Sequence, residues 1–357
     1  MSKLKTSDIV NAIGQLQLHQ PYKYYSGRGI LKITEVRYPE GPITVLRAPN
    51  INSTEWSDAS VSQAMLATAA AVFSGKPNYP IHLDRLFSAG GNSRSVLETL
   101  LVYTPNFYIS YPQRTNPYTG ELESKQKHVI WAPNDSHQLG VIQTRQFDQV
   151  ISEIELDMSF GDIQVTTGML GNEFDSIDAK KTHTQMQVAL VEIGNALKFH
   201  TWIAKNDHSI VIGDKTLGSL TGVVRSLDDI PILYNNEMKR AANLIDCIWF
   251  DQDFRHIPAV MEVEHSTGVT SGLTRMLKLH EVMPSFKTKY TVVAPDQLRN
   301  KVVTETNNPV FKPLDGFFLK YSTVRELYGL IEKYSLSGVI DREFINPFFD
   351  PVVETDA

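Results

Sequence analysis

The chain has a single cysteine, Cys247, in 357 residues. A lone thiol excludes an intramolecular disulfide framework and a multi-cysteine zinc site, and it fits a cytoplasmic protein. No run of about 18 apolar residues occurs, so no membrane-spanning helix is expected. The opening MSKLKTSDIV is not followed by an apolar core and a small-residue cleavage site, so no secretion signal is expected. Positive charge is in deficit: 34 Lys and Arg stand against 40 Asp and Glu, for a net charge of −6. That argues against a generally basic nucleic-acid binder, though not against a local basic groove. Internal repeats and low-complexity stretches are missing. Residues 89–95 (AGGNSRS) are small but lack the Gly-Lys-Ser/Thr end of a phosphate loop. No G-x-S-x-G elbow points to a serine hydrolase.

What remains is an ordinary globular composition, 42% hydrophobic and 21% charged, on a chain long enough for two domains. In the first half, Thr6 or Ser7 caps a short helix, and ILKITEVRY and PITVLRA are strand-like. Residues 60–73 (SVSQAMLATAAAVF) read as a buried helix, 92–101 as a second helix and 107–112 (FYISYP) as a strand. Residues 112–140 are loop-rich and gather Arg114, Lys127 and Trp131, residue types that contact phosphates and bases. The domain boundary is placed near 165–180. Beyond it, Met186, Leu190, Ile193 and Leu197 fall at helical spacing and predict a helix over 183–199. The strand TWIA, the turn KNDHS and the strand IVIG follow, with Asp207 read as a turn residue.

Residues 243–276 (NLIDCIWFDQDFRHIPAVMEVEHSTGVTSGLTRM) carry the densest chemistry. An apolar run holding Asp246 is followed by polar turn material. A second apolar run then leads into Glu262-Val263-Glu264. Side chains alternate along a strand, so Glu262 and Glu264 share a face. If the two runs pair as a hairpin, Asp246 lies beside them. Carboxylates set in apolar strands are costly unless paired or bound to a cation, and hard oxygen ligands point to Mg²⁺. The competing reading is a row of acids on a solvent face; the apolar flanks, LIDCIWF above all, weigh against it. A helix at 270–283, a strand at 290–295 (YTVVAP) and a helix at 323–334 follow.

The order Asp246, about fifteen residues, then Glu262-Val263-Glu264 resembles the PD-(D/E)xK nuclease superfamily, which includes most type II restriction endonucleases. MEVEHSTGVTSGLTRM looks like a variant with Glu where the final Lys usually stands. The flanking helix, TWIAKND and YTVVAPDQLRNKV keep the order of that core over roughly 180–305. The resemblance implies an α/β fold, a restriction-endonuclease-like mixed sheet flanked by helices, with a separate α+β N-terminal domain. It implies residues 1–170 as a DNA-recognition domain, 180–312 as the nuclease core and 313–357 as a C-terminal helical extension. It implies Asp246 and Glu262 as metal ligands, with Glu264 as general base or second-metal ligand. Glu192, with Gln187 behind it, is the helix candidate to complete the site. Arg275 and Lys278 are candidate phosphate contacts, and Arg94, Arg114, Lys127 and Trp131 candidate DNA contacts. The implied activity is sequence-specific cleavage of double-stranded DNA with Mg²⁺, or Mn²⁺ in its place, by a homodimer matched to a palindromic site. The alternatives are a DNA-binding or regulatory protein on a degenerate core, and a repair or structure-specific nuclease.

Overall fold

A computed structural model of the chain describes residues 3–25, 29–87, 91–115, 122–123, 126–151, 163, 165–166, 177–265, 268–283 and 287–352; at 114–115, 122–123, 166 and 177 it describes backbone alone. The chain divides into two compact units, Met1–Leu156 and Asp157–Ala357. Most of the interval 165–180 that the sequence suggests as a boundary lies outside the described residues.

In the first unit, α1 (Thr6–Gly14) precedes an antiparallel sheet of β1 (Pro21–Lys23), β2 (Ile30–Val36), β3 (Ile43–Ala48) and β4 (Ser57–Val61), in sequence order. Ile43 and Val45 in β3 are fully buried while Thr44 and Leu46 are half-buried, the period of two that a one-faced sheet requires. Helix α2 (Gln63–Gly75) starts at Ser62, whose hydroxyl accepts from the Met65 amide at 3.3 Å. Residues 66–73 of this alanine-rich helix are all buried, so it runs through the unit's interior. The short α3 (Leu83–Leu86) and α4 (Gly91–Val102) come next. Strand β5 (Phe107–Ser110) pairs with β8 (His128–Trp131), and between them in sequence β6 (Arg114–Thr115) pairs with β7 (Leu122–Glu123).

The second unit begins with β9 (Val165–Thr166) and α5 (Ile177–Ala196), then β10 (His200–Ile203), β11 (Val211–Ile212), β12 (Lys215–Thr216) and α6 (Asn236–Ala242). Next come β13 (Cys247–Phe250), β14 (Ala259–Val263), α7 (Val269–Val282) and β15 (Lys289–Ala294). The unit finishes with α8 (Arg299–Thr306), β16 (Phe317–Lys320), α9 (Tyr321–Tyr334) and β17 (Asp350–Pro351). Six strands form one mixed sheet in the order β10-β13-β14-β15-β16-β17, parallel only at β14–β15 and β15–β16. Every residue of β13 and β14 is buried, as expected of strands covered on both faces. Helices α6 and α7 cover one face, with Leu273 of α7 in a core that includes Trp202, Ile248, Phe250, Val260 and Val292. Helix α5 covers the other and packs on α9. Trp249 anchors α5 through a 3.2 Å bond from its indole nitrogen to the Leu190 carbonyl, and Gly194 leaves the ring its room: a Cβ there would lie 2.7 Å from that nitrogen.

One expectation needs correcting. Residues 313–357 are not a helical extension outside the core: β16 and β17 are strands of the central sheet, and Phe318 is fully buried in it. The text FFLK is too short for its periodicity to separate strand from helix.

Candidate active site

The β13–β14 hairpin is antiparallel, with Cys247 opposite Met261 and Ile248 opposite Val260. Extending that register by one residue sets Asp246 opposite Glu262. The Asp246 carboxylate replaces the next ladder bond: its Oδ2 accepts from the Val263 amide at 2.8 Å. Glu262 continues the row that Val260 begins, so it emerges beneath α7 rather than into water. Glu264 continues that row past the end of β14, where its amide still bonds the Val293 carbonyl at 2.8 Å. Glu262 is fully buried, and Asp246 and Glu264 are each 7% exposed. The three acids therefore converge at one end of the two strands.

Arg275, on α7, reaches down to them. Its Nε lies 3.1 Å from both Glu262 oxygens and its Nη2 2.5 Å from Oε2, a bidentate grip, with Glu264 Oε1 at 3.8 Å. Two glycines make the approach of α7 possible. A Cβ on Gly272 would lie 2.6 Å from Glu264 Oε1 and 3.0 Å from the Glu262 Cβ, and one on Gly268 would collide with Glu264 Oε2. Tyr321, the first residue of α9, donates to the Glu264 carbonyl at 3.0 Å and fixes the strand's exit.

Charge in this pocket is unbalanced. Burial and the neighbouring Asp246 push Glu262 well above the ordinary carboxylate range, against the pull of Arg275. Burial first, then Asp246, raises Glu264 to about 7. Burial disfavours the Arg275 charge, but its bonds to Glu262 and the surrounding acids hold the guanidinium firmly protonated. Three carboxyls facing one guanidinium leave, when ionised, two negative charges without a partner among them. A divalent cation matches that deficit, so the donor set fits a metal ion.

The other residues singled out from the sequence are placed as follows. Gln187 is at the site: its amide nitrogen bonds Asp207 Oδ2 at 2.8 Å and lies 3.4 Å from the Asp246 carbonyl. Glu192 is not: its neighbours are Asn195, Lys215 and Glu332, because five residues along a helix from Gln187 turn a side chain about 140° away. Lys278 is exposed on α7, one turn beyond Arg275. Arg94 caps α3, donating to the Asp84 and Phe87 carbonyls at 3.0 and 2.8 Å. Lys127 is bound to Glu98. Trp131 is buried opposite Phe107 in the β5–β8 pair, which places it in the core and not on a DNA-facing loop. The Arg114 side chain lies outside the described residues. Sequence reading missed two neighbours of Asp246: His183, with Nε2 3.8 Å from Asp246 Oδ1, and Asp207. One ligand atom from each of these three lies within 4.8 Å of the others. The only available signal was the four-residue spacing of His183 and Gln187 on one helix.

The family described as Type II restriction enzyme NmeDI C-terminal domain matches residues 165–352. The chain is 39% identical over 360 residues to the Type II restriction enzyme NmeDI of Neisseria meningitidis serogroup C, covering 98% of this chain and 99% of that protein. No solved structure matches.

Proposed function

The chain belongs to the NmeDI family of type II restriction enzymes, and we infer from that membership that it is a sequence-specific endonuclease hydrolysing phosphodiester bonds in double-stranded DNA. We further propose that residues 180–312, with the strands that follow them, form a PD-(D/E)xK core carrying a Glu-x-Glu variant of the motif. The observation that supports this is the meeting of Asp246, Glu262 and Glu264 at the end of two buried strands, under a single arginine.

In this reading Asp246 and Glu262 hold a divalent ion, Mg²⁺ by their hard oxygen donors. When bound, such an ion supplies positive charge to the phosphate and acidity to the attacking water. The chain's own residues do the rest. Asp246 presents a carboxylate held on one oxygen by the Val263 amide. Glu264, raised to about 7, is balanced at neutral pH to accept a proton from water, the task of a general base. Arg275 supplies the cation that Lys gives in the usual motif: released from part of its grip on Glu262, its fork faces the phosphate oxygens.

In this proposal residues 1–170, of which Met1–Leu156 form the first unit, are the recognition part. Arg94, Lys127 and Trp131 are bound up in its own structure, so base reading falls to other side chains there. A homodimer is proposed on the symmetry of a palindromic target. The site assignment is tested by incubating Glu262→Gln and Glu264→Gln proteins with plasmid DNA and Mg²⁺. Both are expected to lose cleavage by about a hundredfold or more while still melting in a cooperative transition. Cleavage at the wild-type rate by either variant removes that residue from the mechanism.

A further inference from the structure

Asp246 presents its two oxygens to two different sides. Oδ2 is committed to the Val263 amide, while Oδ1 lies 3.8 Å from Nε2 of His183. His183 and Gln187 stand one turn apart on α5 and share a face. Asp207 arrives from the short 3-10 turn that follows β10. Their ligand atoms and that of Asp246 meet within 4.8 Å, in a setting where His183 and Asp246 are each 7% exposed.

The Gln187 amide adds an independent sign. The side chain is fully buried, and its nitrogen reaches Asp207 at 2.8 Å and the Asp246 carbonyl at 3.4 Å. Its oxygen Oε1, equally buried, has no hydrogen-bond partner among the described residues. A buried amide oxygen without a donor costs roughly 1–3 kcal/mol. The amide nitrogen is already engaged with Asp207 and the Asp246 carbonyl, so a cation is the natural acceptor of the oxygen's lone pair.

We propose that His183, Asp207 and Asp246, completed by the Gln187 amide oxygen, bind a divalent transition-metal ion on the α5 side of Asp246. One imidazole nitrogen among oxygen donors suits Mn²⁺ or Co²⁺ better than Mg²⁺, which favours an all-oxygen shell rich in water. The site shares Asp246 with the carboxylates under α7 and has no other residue in common with them. It ties helix α5 to the strand that carries the catalytic acids, so an ion there fixes the orientation of Asp246.

The test is direct detection of the ligand atom. Metal-free full-length protein is titrated with Mn²⁺, and pulsed electron paramagnetic resonance reads nitrogen coupling to the bound ion. The wild type is expected to show coupling to one imidazole nitrogen. His183→Gln is expected to abolish it and weaken that ion by about tenfold or more, and Gln187→Leu to weaken it; Glu264→Gln is expected to keep the coupling. Wild-type Mn²⁺ in a purely oxygen environment overturns the proposal, whatever the variants do. So does nitrogen coupling that survives His183→Gln. Plasmid cleavage in the same buffer is scored separately. Cleavage with an all-oxygen ion sinks this site and leaves the nuclease reading; nitrogen coupling without cleavage does the reverse.

Discussion

Glu262 is a carboxyl with no solvent exposure facing two other acids, an arrangement that is costly to bury. Glycine lets the protein tolerate it. Gly272 is the point where α7 comes close enough for Arg275 to grip the acid, and a methyl there meets both glutamates. Gly272→Ala is expected to destabilise the fold by about 1–3 kcal/mol through overpacking, measured by urea unfolding, and to lower cleavage at least tenfold. An unchanged urea midpoint contradicts the packing described. Glu264 makes a second prediction at this scale. Its folded pKa, about 7, lies above the ordinary carboxylate value of 4.5, so the folded state holds the proton more tightly than the unfolded chain does. Its contribution to stability is therefore full below pH 4.5 and is lost as pH rises through 7. For metal-free protein, wild type should lose on the order of 3 kcal/mol relative to Glu264→Gln between pH 4.5 and 8. A difference that stays flat or grows with pH refutes the raised pKa.

At the scale of elements, the β13–β14 hairpin is legible because apolar flanks and alternating acids leave one sensible pairing, and the register, extended by one residue beyond Cys247 and Met261, sets Asp246 opposite Glu262. Helices α2, α5, α7 and α9 were legible through their caps or periodic apolar residues. Strand β4 was not: SDASV has a single fully buried residue, Val61. Helix α8 was not either, because RNKVVTET buries only Val302 and Thr306. The meeting of His183 with Asp207 could not be read at all. It depends on β10 pairing with β13, Ile203 opposite Cys247, which carries the turn after β10 to the start of β13. The sequence favours Glu192 over Gln187 as the helix ligand because it does not give the phase of α5 relative to the sheet. The same blindness set the end of the core at 312, when β16 is the neighbour of β15 in the sheet. A chain ending at residue 312 is therefore expected to lose the second unit's part of the calorimetric transition, since it loses Phe318 and the α9 cover of α5. A transition matching that of the full chain contradicts this placement of β16.

At the scale of the whole molecule, the chain matches its relative from end to end, so both units belong to one enzyme. No helix among the described residues is long and apolar enough to cross a membrane. The proposed two-fold assembly predicts a sedimentation mass near twice 40.2 kDa; a species that stays at the monomer mass at every concentration rejects it. If the acids of the β13–β14 hairpin cut DNA at defined sequences, a plasmid of known sequence reveals it. Digestion with Mg²⁺ is predicted to give a fixed set of discrete fragments, absent with Glu262→Gln protein. An intact plasmid, a smear of random lengths or the same fragments from the variant would contradict it.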